Sequence, residues 1–473
     1  ISGRLYNDLN SNCTYDEGTD SPIAGYTVRA TPSGFYTVSR EDGTYELLVD
    51  QGNYTVEAVL PETQGLLIEQ PCGANYQVAF DTVDQTLGDV DFALKTTECP
   101  ILSVNVSSNR RRRCFENYTT LVYRNEGFAP AEDAKVHLRL PEYVDFVRAN
   151  HDFTLTEDGV YVFEVGTVAP YSQASIQIMD TVRCESGIVG LDQCTEAWIT
   201  PANTCWRDAQ EEDPDWDKSS VEVEGVCVSP QDGSRFTIRN VGEDMARAST
   251  YRIYEGSELA SSDNFQLPAG DSLVIIYKPY SGSIRLEADQ HPSHPGNSLP
   301  QATVQGCSSG PASRTSSANY FDQDDAAPEI SIECLPIIDS YDPNDKMATP
   351  QGITENRYVR PETPLDYRIR FQNTGTDTAY KVVVVDTLSP LMDISTLRFG
   401  ASSHPYELTM TGEESPVLTF TFNDIDLVDS LTDEPNSHGF IKFSIAPIAG
   451  HPEGTVVHNL ADIYFDFNEP IRT

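Results

Sequence analysis

The sequence predicts an all-β protein that folds as a tandem array of small β-sandwich domains. Short runs of alternating apolar and polar residues, rich in Val, Thr and Tyr, are separated by turns that contain Gly, Asn or Asp. No long segment places apolar residues at helical spacing. The 473 residues exceed what one sandwich needs, and domains of about 100–150 residues imply three to five of them.

Residues 1–97 are expected to form domain one. Alternating strand patterns occupy residues 26–30, 35–38, 44–49 and 54–59. The turn Asp42-Gly43 is a strong hairpin signal, because Gly readily adopts the positive φ of a tight turn. The strand pattern starts at Ile1 without a starting Met or a signal peptide, so we expect a processed N-terminus.

Three further domains are expected at residues 98–204, 205–310 and 335–473, with a linker at 311–334 that begins in a Ser-rich stretch. In each of the three, an alternating strand ends in Asn-x-Gly. The occurrences are Asn125-Glu-Gly127, Asn240-Val-Gly242 and Asn373-Thr-Gly375. Asn is expected to cap the strand end, and Gly to supply the positive φ of a tight turn.

The charge balance restricts the partners of this chain. With 31 basic and 73 acidic residues, the formal net charge is −42. Such a chain repels the phosphates of nucleic acids and anionic lipid surfaces, so neither is an expected partner. No apolar run reaches the roughly 18 residues needed to span a membrane, so no membrane insertion is expected.

The ten cysteines are an even number and include no Cys-x-x-Cys pair, which indicates disulfides formed in an oxidising compartment. We expect Cys13 to pair with Cys72, Cys99 with Cys114, and Cys184 with Cys194. Cys227 and Cys307 end similar sequence runs and are candidates to close domain three. Cys205 would then pair with Cys334, and a sequential pattern is the alternative for these four.

An oxygen-rich loop after the first strand predicts a structural Ca²⁺ site. Side chains at positions 1, 3, 5 and 9 follow the order of an EF-hand-like loop, with a carbonyl at position 7. The candidate ligands are Asp8, Asn10, Asn12, Thr14, Asp16 and Glu17. Cys13 and Thr19 stand where that loop has Gly and Glu, and a metal-free turn rich in Asn and Asp is the alternative.

The stretch Tyr6–Val28, which ends in Pro-Ile-Ala-Gly-Tyr-Thr-Val, resembles the B-repeat domains of Gram-positive Ser-Asp-repeat adhesins. This resemblance implies a prealbumin-like sandwich that binds calcium at the same loop. The Asn12-Cys13 form of the loop is similar to that of counterparts in Bacteroidota.

Domain four carries a denser set of motifs. They are Ser340–Lys346 (Ser-Tyr-Asp-Pro-Asn-Asp-Lys), Phe371–Ala379, Asp386–Leu388, Ser402–His404, Asn436–Phe440 and Ile463–Ile471. They resemble the conserved-repeat domain that precedes the sorting signal of proteins exported by the Bacteroidota type IX secretion system. The resemblance implies an Ig-like sandwich, export across the outer membrane, and surface attachment or release. Domains two and three resemble looser relatives, and the end at Thr473 without a sorting domain suggests cleavage.

Three weaker candidate sites remain. A second calcium site could form from Asp342, Asn344, Asp345, Asp466 and Asn468, with turn capping by these side chains as the alternative. Arg110–Arg113 is either a docking patch for an acidic surface or an exposed hairpin that balances local carboxylates. Asp followed by Thr or Ser and an aliphatic residue resembles an O-glycosylation motif of exported Bacteroidota proteins, at Thr82, Thr181, Ser272, Thr378, Thr387 and Ser430.

No catalytic motif stands out, since His-Glu-x-x-His, Gly-x-Ser-x-Gly and the Walker pattern are all absent from the sequence. We therefore expect a non-catalytic extracellular protein of the cell surface, a stalk or filament subunit that associates with itself or with other surface proteins. One alternative is an adhesin for glycan or protein, which an exposed cluster of aromatics near Trp206 and Trp216 would favour. The other is the stalk of a larger exported enzyme.

Overall fold

The computed structural model describes residues 1–473 except 33, 62–64, 66, 83, 186, 210–212, 230–231, 257, 279–282, 296–299, 306, 308–326, 340–343, 355, 362 and 413–414. Within these residues the regular secondary structure is almost entirely β-strand, and helix is limited to short pieces such as α1 (Thr204–Ala209) and a 3-10 turn (Pro435–Ser437). The strands form pairs of sheets around four separate apolar cores. The prediction of an all-β array of sandwiches is confirmed.

Domain one is a two-sheet sandwich. Its strands are β1 (Ser2–Asn7), β2 (Ser21–Pro22), β3 (Thr27–Thr31), β4 (Phe35–Val38), β5 (Thr44–Glu46), β6 (Gly52–Val59), β7 (Ile68–Glu69), β8 (Asn75–Phe80) and β9 (Phe92–Thr96). One sheet has the order β2-β1-β9-β7 with β5 also paired to β1, and the other has the order β4-β3-β6-β8. Alternate residues such as Val28, Ala30 and Val56 fill the core between them.

The prediction of a hairpin at Asp42-Gly43 is wrong. Gly43 has the positive φ of a tight turn, 77°. However, β4 pairs with β3 while β5 pairs with β1 in the opposite sheet, so the turn carries the chain between sheets. A Cβ atom on Gly43 would lie 2.4 Å from the carbonyl oxygen of Leu5, which leaves no room for another residue.

Domain two begins with β10 (Leu102–Ser108), β11 (Arg111–Arg112), β12 (Glu116–Asn125), β13 (Ala131–Arg139), β14 (Val144–Ala149), β15 (Thr154–Leu155), β16 (Val160–Val168), β17 (Gln173–Val182) and β18 (Asp192–Thr200). One sheet has the order β10-β12-β17-β14, and the other contains β18-β13-β16-β15. Leu121, Val136 and Ile178 lie in the core that the sheets share.

Domain three follows α1 and is the smallest sandwich described. Its strands are β19 (Val221–Ser229), β20 (Gly233–Asn240), β21 (Ser249–Glu255), β22 (Glu258–Phe265), β23 (Ser272–Tyr277), β24 (Ser283–Ala288) and β25 (Gln301–Gln305). The sheets have the orders β19-β20-β23 and β22-β21-β24-β25. Phe236, Ile238 and Leu286 are fully buried between them.

The next strand, β26 (Ile330–Ile338), returns to domain two. It pairs antiparallel with β18, from Trp198 opposite Ile330 to Asp192 opposite Pro336, and parallel with β11. Domain three is therefore inserted into domain two. The linker expected at 311–334 and the start of domain four expected at 335 are both wrong, because residues 330–338 form a strand of domain two. Residues 308–326 lie outside the described residues.

Domain four contains β27 (Asp345–Thr349), β28 (Leu365–Gln372), β29 (Val382–Thr387), β30 (Met392–Ser402), β31 (Glu407–Thr411), β32 (Val417–Phe422), β33 (His438–Pro447), β34 (Leu460–Phe465) and β35 (Ile471–Arg472). The sheets have the orders β27-β28-β33-β30 and β31-β32-β29-β34-β35. Ile369, Phe420 and Ile463 are among the fully buried residues of its core.

The Asn of each Asn-x-Gly motif fastens a strand end from the inside. Asn125, Asn240 and Asn373 are buried, and the Oδ1 atom of each accepts the N–H of the Gly two residues later at 3.0–3.1 Å. Each Nδ2 donates to at least two carbonyl groups, one of them on a distant segment, such as Val168 at the end of β16 for Asn125. A buried amide with all these partners satisfied is a strong local constraint.

The expected role of the Gly in this motif is wrong. Gly127, Gly242 and Gly375 are not among the residues with positive φ. A Cβ on Gly127 would lie 2.2 Å from the carbonyl oxygen of Cys99, and one on Gly242 would lie 2.2 Å from that of Lys218. At Gly127 and Gly242, glycine is needed because another segment of backbone crosses there, and not because of its conformational freedom.

All ten cysteines are paired. The structure joins Cys13 to Cys72 and Cys227 to Cys307, as the sequence suggested. The other three bridges are Cys99–Cys205, Cys114–Cys184 and Cys194–Cys334.

The expected Cys99–Cys114, Cys184–Cys194 and Cys205–Cys334 pairs are therefore wrong. Cys194 and Cys334 lie directly opposite each other on β18 and β26, 140 residues apart in sequence. That pairing depends on the insertion of domain three, which the spacing of cysteines alone does not reveal.

Candidate functional sites in the N-terminal loop and at the domain interfaces

The loop at residues 8–20 is organised around Asp8, which is only 1% exposed. Asp8 Oδ1 accepts the N–H of Asn12 at 3.2 Å, and Oδ2 accepts the N–H of Cys13 at 2.8 Å. Ser11 and Cys13 have positive φ values of 58° and 62°, which curl the loop over the carboxylate. The Cys13–Cys72 disulfide then fixes the loop to the segment before β8.

Two further carboxylates close the loop. Asp16 Oδ2 accepts hydrogen bonds from Nδ2 of Asn10 and Nδ2 of Asn12, both at 2.7 Å, and these bonds lower the Asp16 pKa. Asp20, which is 7% exposed, accepts the N–H of Leu9 at 3.0 Å and the N–H of Asp16 at 2.8 Å. Sequence reasoning missed Asp20, although this carboxylate directly follows Thr19, the last position of the loop motif.

The chemistry of this loop fits a hard cation, since its donors are carboxylate and amide oxygens. The Sγ atoms of Cys13 and Cys72, which lie near Asp8, are bonded to each other and are not available as ligands. Oδ1 of Asn10 and Oδ1 of Asn12 accept backbone N–H groups, as in the metal-free alternative. Thr14 and Glu17 are exposed at the surface of the loop.

Domains two and four meet at a seam, defined here as Glu333 on β26 with Arg368 and Lys442 of domain four. The Glu333 carboxylate lies 3.0 Å from Nη1 of Arg368 and 3.7 Å from Nζ of Lys442. It also accepts the Oγ–H of Ser107 at 3.0 Å and the N–H of Ser108 at 2.5 Å. All three side chains of the seam are at most 10% exposed.

Burial by itself raises the pKa of the Glu333 carboxyl, because it disfavours the charged form. Arg368, Lys442 and the hydrogen bonds from Ser107 and Ser108 outweigh burial, so the Glu333 pKa lies below its ordinary value. Burial also lowers the pKa of Arg368, but a guanidinium, whose ordinary pKa is the highest of any side chain, remains protonated. The seam is therefore a buried, charged and hydrogen-bonded cluster.

Backbone contacts extend the interface around the seam. Arg124 of domain two donates from Nη1 to the carbonyl of Phe399 at 2.5 Å and from Nη2 to that of Gly400 at 2.7 Å. Oδ1 of Asn105 accepts the N–H of Ala401 at 2.9 Å. Val122, Ala401 and Phe440 form an apolar cluster across the same interface.

Domain one packs against domain two and against domain four. Tyr36, Val38 and Val59 pack against the core of domain four. Leu67 shares a small cluster with Cys99, Ile101 and Trp206 of domain two. The row of sandwiches is therefore folded back on itself, with domains one, two and four in mutual contact.

The two tryptophans do not form an exposed aromatic cluster of the kind that would favour an adhesin. Trp206 is 9% exposed and lies at the contact between domains one and two. Trp216 is half-buried, and its Nε1–H donates to the carbonyl of Ser219 at 3.0 Å.

The expected docking patch at Arg110–Arg113 is also wrong. The side chain of Arg111 is fully buried and pairs with Asp180 at 2.6 Å. Arg110, 7% exposed, lies 3.6 Å from Asp345 of domain four. Arg112 and Arg113 are half-exposed and pair with Glu434 and Asp339. These arginines hold domain two together and tie it to domain four, because buried charges need partners.

The second candidate calcium site is not assembled by the residues described. Asp345 is held by Arg370 through both carboxylate oxygens, at 2.6 and 2.5 Å, so a guanidinium already neutralises it. Asp466 caps the other sheet, where its Oδ1 accepts two backbone N–H groups at 3.0 and 2.8 Å. Asn344 accepts the N–H of Gln372, and Asn468 forms a backbone bond to Phe465. Asp342 lies outside the described residues.

The six candidate glycosylation positions all lie at least partly at the surface. Thr82, Ser272 and Thr387 are exposed, and Thr181, Thr378 and Ser430 are half-buried.

A cavity of about 600 Å³ opens where domains two, three and four meet. Its lining is rich in polar side chains, among them Glu142, Asp192, Gln301, Glu333, Asp366 and Arg368. One wall is therefore the seam itself.

Comparison with known proteins gives one family match. The family described as a domain of unknown function, DUF7619, matches residues 342–473. No protein with a curated description matches this chain.

Several solved bacterial surface proteins are similar to this chain at low identity. The RrgB pilus protein of Streptococcus pneumoniae has 7% identity and a TM-score of 0.26, over 86% of this chain and 73% of that chain. The BcpA major pilin of Bacillus cereus has 10% identity and a TM-score of 0.20, over 64% and 94%. The ACE adhesin of Enterococcus faecalis, titled as binding its ligands by the collagen Hug model, has 8% identity and a TM-score of 0.21, over 54% and 93%.

Among the described residues, no helix combines the length and apolar character that crossing a membrane would require.

Proposed function

We propose that this chain is a secreted, non-catalytic structural protein of the cell surface, a stalk or filament subunit. The observation that carries the proposal is the seam, where Glu333 is buried between Arg368 and Lys442. Removing one partner of such a buried cluster costs about 3–5 kcal/mol, so domains two and four should move as one body. A rigid body of cross-linked sandwiches suits a protein that bears load outside the cell.

The disulfides support an extracellular location. Five bridges use every cysteine of the chain, and such bridges persist in oxidising compartments. Proteolysis of intact source cells tests this location. A surface protein is removed by added protease, and protection until the cells are lysed would contradict the proposal.

Assembly is tested by electron microscopy of material taken from the native cell surface. A filament subunit should show copies repeating head to tail, each contact burying more than about 1,000 Å². Dispersed single copies under the same conditions would contradict a filament. The proposal would then be limited to a stalk anchored to other surface proteins.

We also propose that the chain is exported by the type IX system of Bacteroidota, on the basis of the motifs of domain four. We further propose that the exported protein is O-glycosylated. Protein purified from the source organism should exceed its sequence mass, with added sugar at Thr82, Thr181, Ser272, Thr378, Thr387 or Ser430. An unmodified mass would remove the glycosylation claim.

We assign the loop at residues 8–20 a structural Ca²⁺ ion. Asp8, Asp16 and Asp20 would supply charge, and Asn10 and Asn12 would supply amide oxygens, with Thr14 and Glu17 at the exposed side. The ion would neutralise carboxylates that otherwise face each other within one loop. Calorimetric titration of the chelated protein with Ca²⁺ tests this, and an absence of binding heat would contradict it.

The adhesin alternative is favoured by one feature, the cavity where domains two, three and four meet. Its polar lining suits a hydroxyl-rich ligand such as a glycan. Glycan-array binding that is abolished by Asp366→Asn would support this function over a purely structural one.

A further inference from the structure

Domain four contains a lysine and an asparagine that both lie beside one buried aspartate, here named the triad of Lys346, Asp386 and Asn459. Nζ of Lys346 is hydrogen-bonded to Oδ2 of Asp386, and these side chains are 5% and 0% exposed. Lys346 lies on β27 in one sheet, whereas Asp386 lies on β29 in the opposite sheet. The aliphatic part of Lys346 therefore crosses the centre of the sandwich.

Asn459 completes the triad. It directly precedes β34, which pairs with β29 so that Asp386 lies opposite Ala461. Its amide lies beside the Asp386 carboxyl and the Tyr367 hydroxyl. Within the described chain, neither Nδ2 nor Oδ1 of Asn459 forms a regular hydrogen bond, and Oδ1 of Asp386 also lacks one. Buried polar atoms without partners are rare and call for an explanation.

The surroundings of the triad are apolar. Nζ of Lys346 lies 4.7 Å from the ring centroid of Tyr367 and 5.9 Å from that of Phe443. Burial lowers the pKa of Lys346 and raises the pKa of Asp386, so both groups are shifted toward their neutral forms. A neutral amine is a nucleophile, and a protonated carboxyl group is a general acid.

We propose that domain four closes itself with an amide bond between Nζ of Lys346 and Cγ of Asn459, with Asp386 as the catalytic residue. The Nζ lone pair forms the new bond to Cγ while the amide π electrons move onto Oδ1. Asp386 gives its proton to Nδ2 and takes one from Nζ. The Cγ–Nδ2 bond then breaks and ammonia leaves. An amine and a primary amide become a secondary amide and ammonia, without oxidant or reductant.

The position of this bond gives it a mechanical consequence. It joins the first strand of domain four to the residue before β34, and so connects the two sheets covalently. The chain between Lys346 and Asn459 becomes a closed loop that force applied at the chain ends cannot extend. This exceeds the proposed structural function, because it assigns a self-catalysed reaction to named residues.

Peptide mass spectrometry of the full chain, after reduction of its disulfides and digestion with trypsin, tests the bond. The expected product is a branched peptide that joins residues 315–357 to 443–472, uncleaved after Lys346. Its mass should be lower by one ammonia than the sum of its two parts. Two separate linear peptides, with cleavage after Lys346 and an unmodified Asn459, would overturn the proposal.

Variants separate the bond from the role of the carboxyl group. Asp386→Asn is nearly isosteric and should abolish the branched peptide, as should Lys346→Met, which removes the amine. Lys381→Met is the matched control, because it removes an exposed lysine of domain four but leaves the triad and both expected tryptic peptides intact, so the bond should persist. A complete branched product from Asp386→Asn would contradict the catalytic role of Asp386.

Discussion

Domains one and four are both two-sheet sandwiches, but they are closed by different chemistry. In domain one, Cys13 after the first strand is bonded to Cys72 before β8. Domain four has no cysteine, since the last one of the chain is Cys334. Conversely, domain one has no lysine before Lys95, so it cannot contain a triad like that of Lys346.

The difference shows that two kinds of cross-link can occupy one topological role. In both domains one linked residue lies on or after the first strand, and the other lies shortly before a late strand. A disulfide depends on the redox state of the surroundings, whereas an amide bond does not. The proposed bond in domain four therefore gives the chain one domain that stays closed under reducing conditions.

Reduction of the disulfides should have the largest effect on stability, and it should affect domains one to three but not domain four. Each lost bridge costs about 2–4 kcal/mol, so domains one to three should be strongly destabilised. Domain four should keep its stability. Hydrogen exchange with and without a reductant measures this domain by domain, and equal gains in exchange in domains one and four would contradict it.

The next largest effect is expected from Glu333→Gln. The substitution leaves Arg368 and Lys442 buried without a carboxylate, which should cost about 3–5 kcal/mol. Glu196→Gln is the control, because Glu196 pairs with Arg139 near the surface and exposed pairs contribute about 0–1 kcal/mol. Denaturant unfolding compares the two variants, and similar losses would show that the seam is not a clamp.

Chelation should affect domain one and spare domain four. Bound at a hundredfold excess over its dissociation constant, Ca²⁺ would add about 2.7 kcal/mol to domain one. EDTA should therefore lower its melting temperature by a few degrees, and Asp8→Asn or Asp20→Asn should abolish that shift. Asp42→Asn, which alters an exposed turn of the same domain, should leave it intact. An EDTA-insensitive domain one would exclude the ion.

Acid should loosen the seam by a smaller amount. The Glu333 pKa is lowered in the folded protein, so its contribution is complete above the ordinary glutamate pKa of about 4.3 and is lost as pH falls through the folded value. Each unit of lowering corresponds to about 1.4 kcal/mol. Small-angle scattering should show domains two and four separating only below about pH 4. A seam that tightens on acidification would contradict this sign.

Local patterns predicted the strands, the oxygen-rich loop and the positions of the Asn-x-Gly motifs, because these depend on neighbouring residues. Asp20 was missed because it lies just beyond the motif that drew attention to Asp8. The reason for Gly127 could not be predicted, since the backbone that crosses it belongs to Cys99, on the segment before β10.

The remaining errors of the sequence-based predictions arise from contacts between residues that are far apart in the sequence. Cys194 meets Cys334 only because a whole domain is inserted between β18 and β26. Arg111 sits in an apparently exposed basic run, and its burial depends on Asp180 from another strand. The triad was equally hidden, since Lys346 and Asp386 lie in two separate sequence motifs and meet only across the sandwich.

Single-molecule force extension of the fully reduced chain, pulled from both ends, tests most directly whether domain four is covalently closed. If Lys346 is bonded to Asn459, the roughly 110 residues between them stay shielded, and no step on the order of 400 Å appears from that domain. The Asp386→Asn chain should show that step. A wild-type chain that extends domain four by on the order of 400 Å would contradict the account.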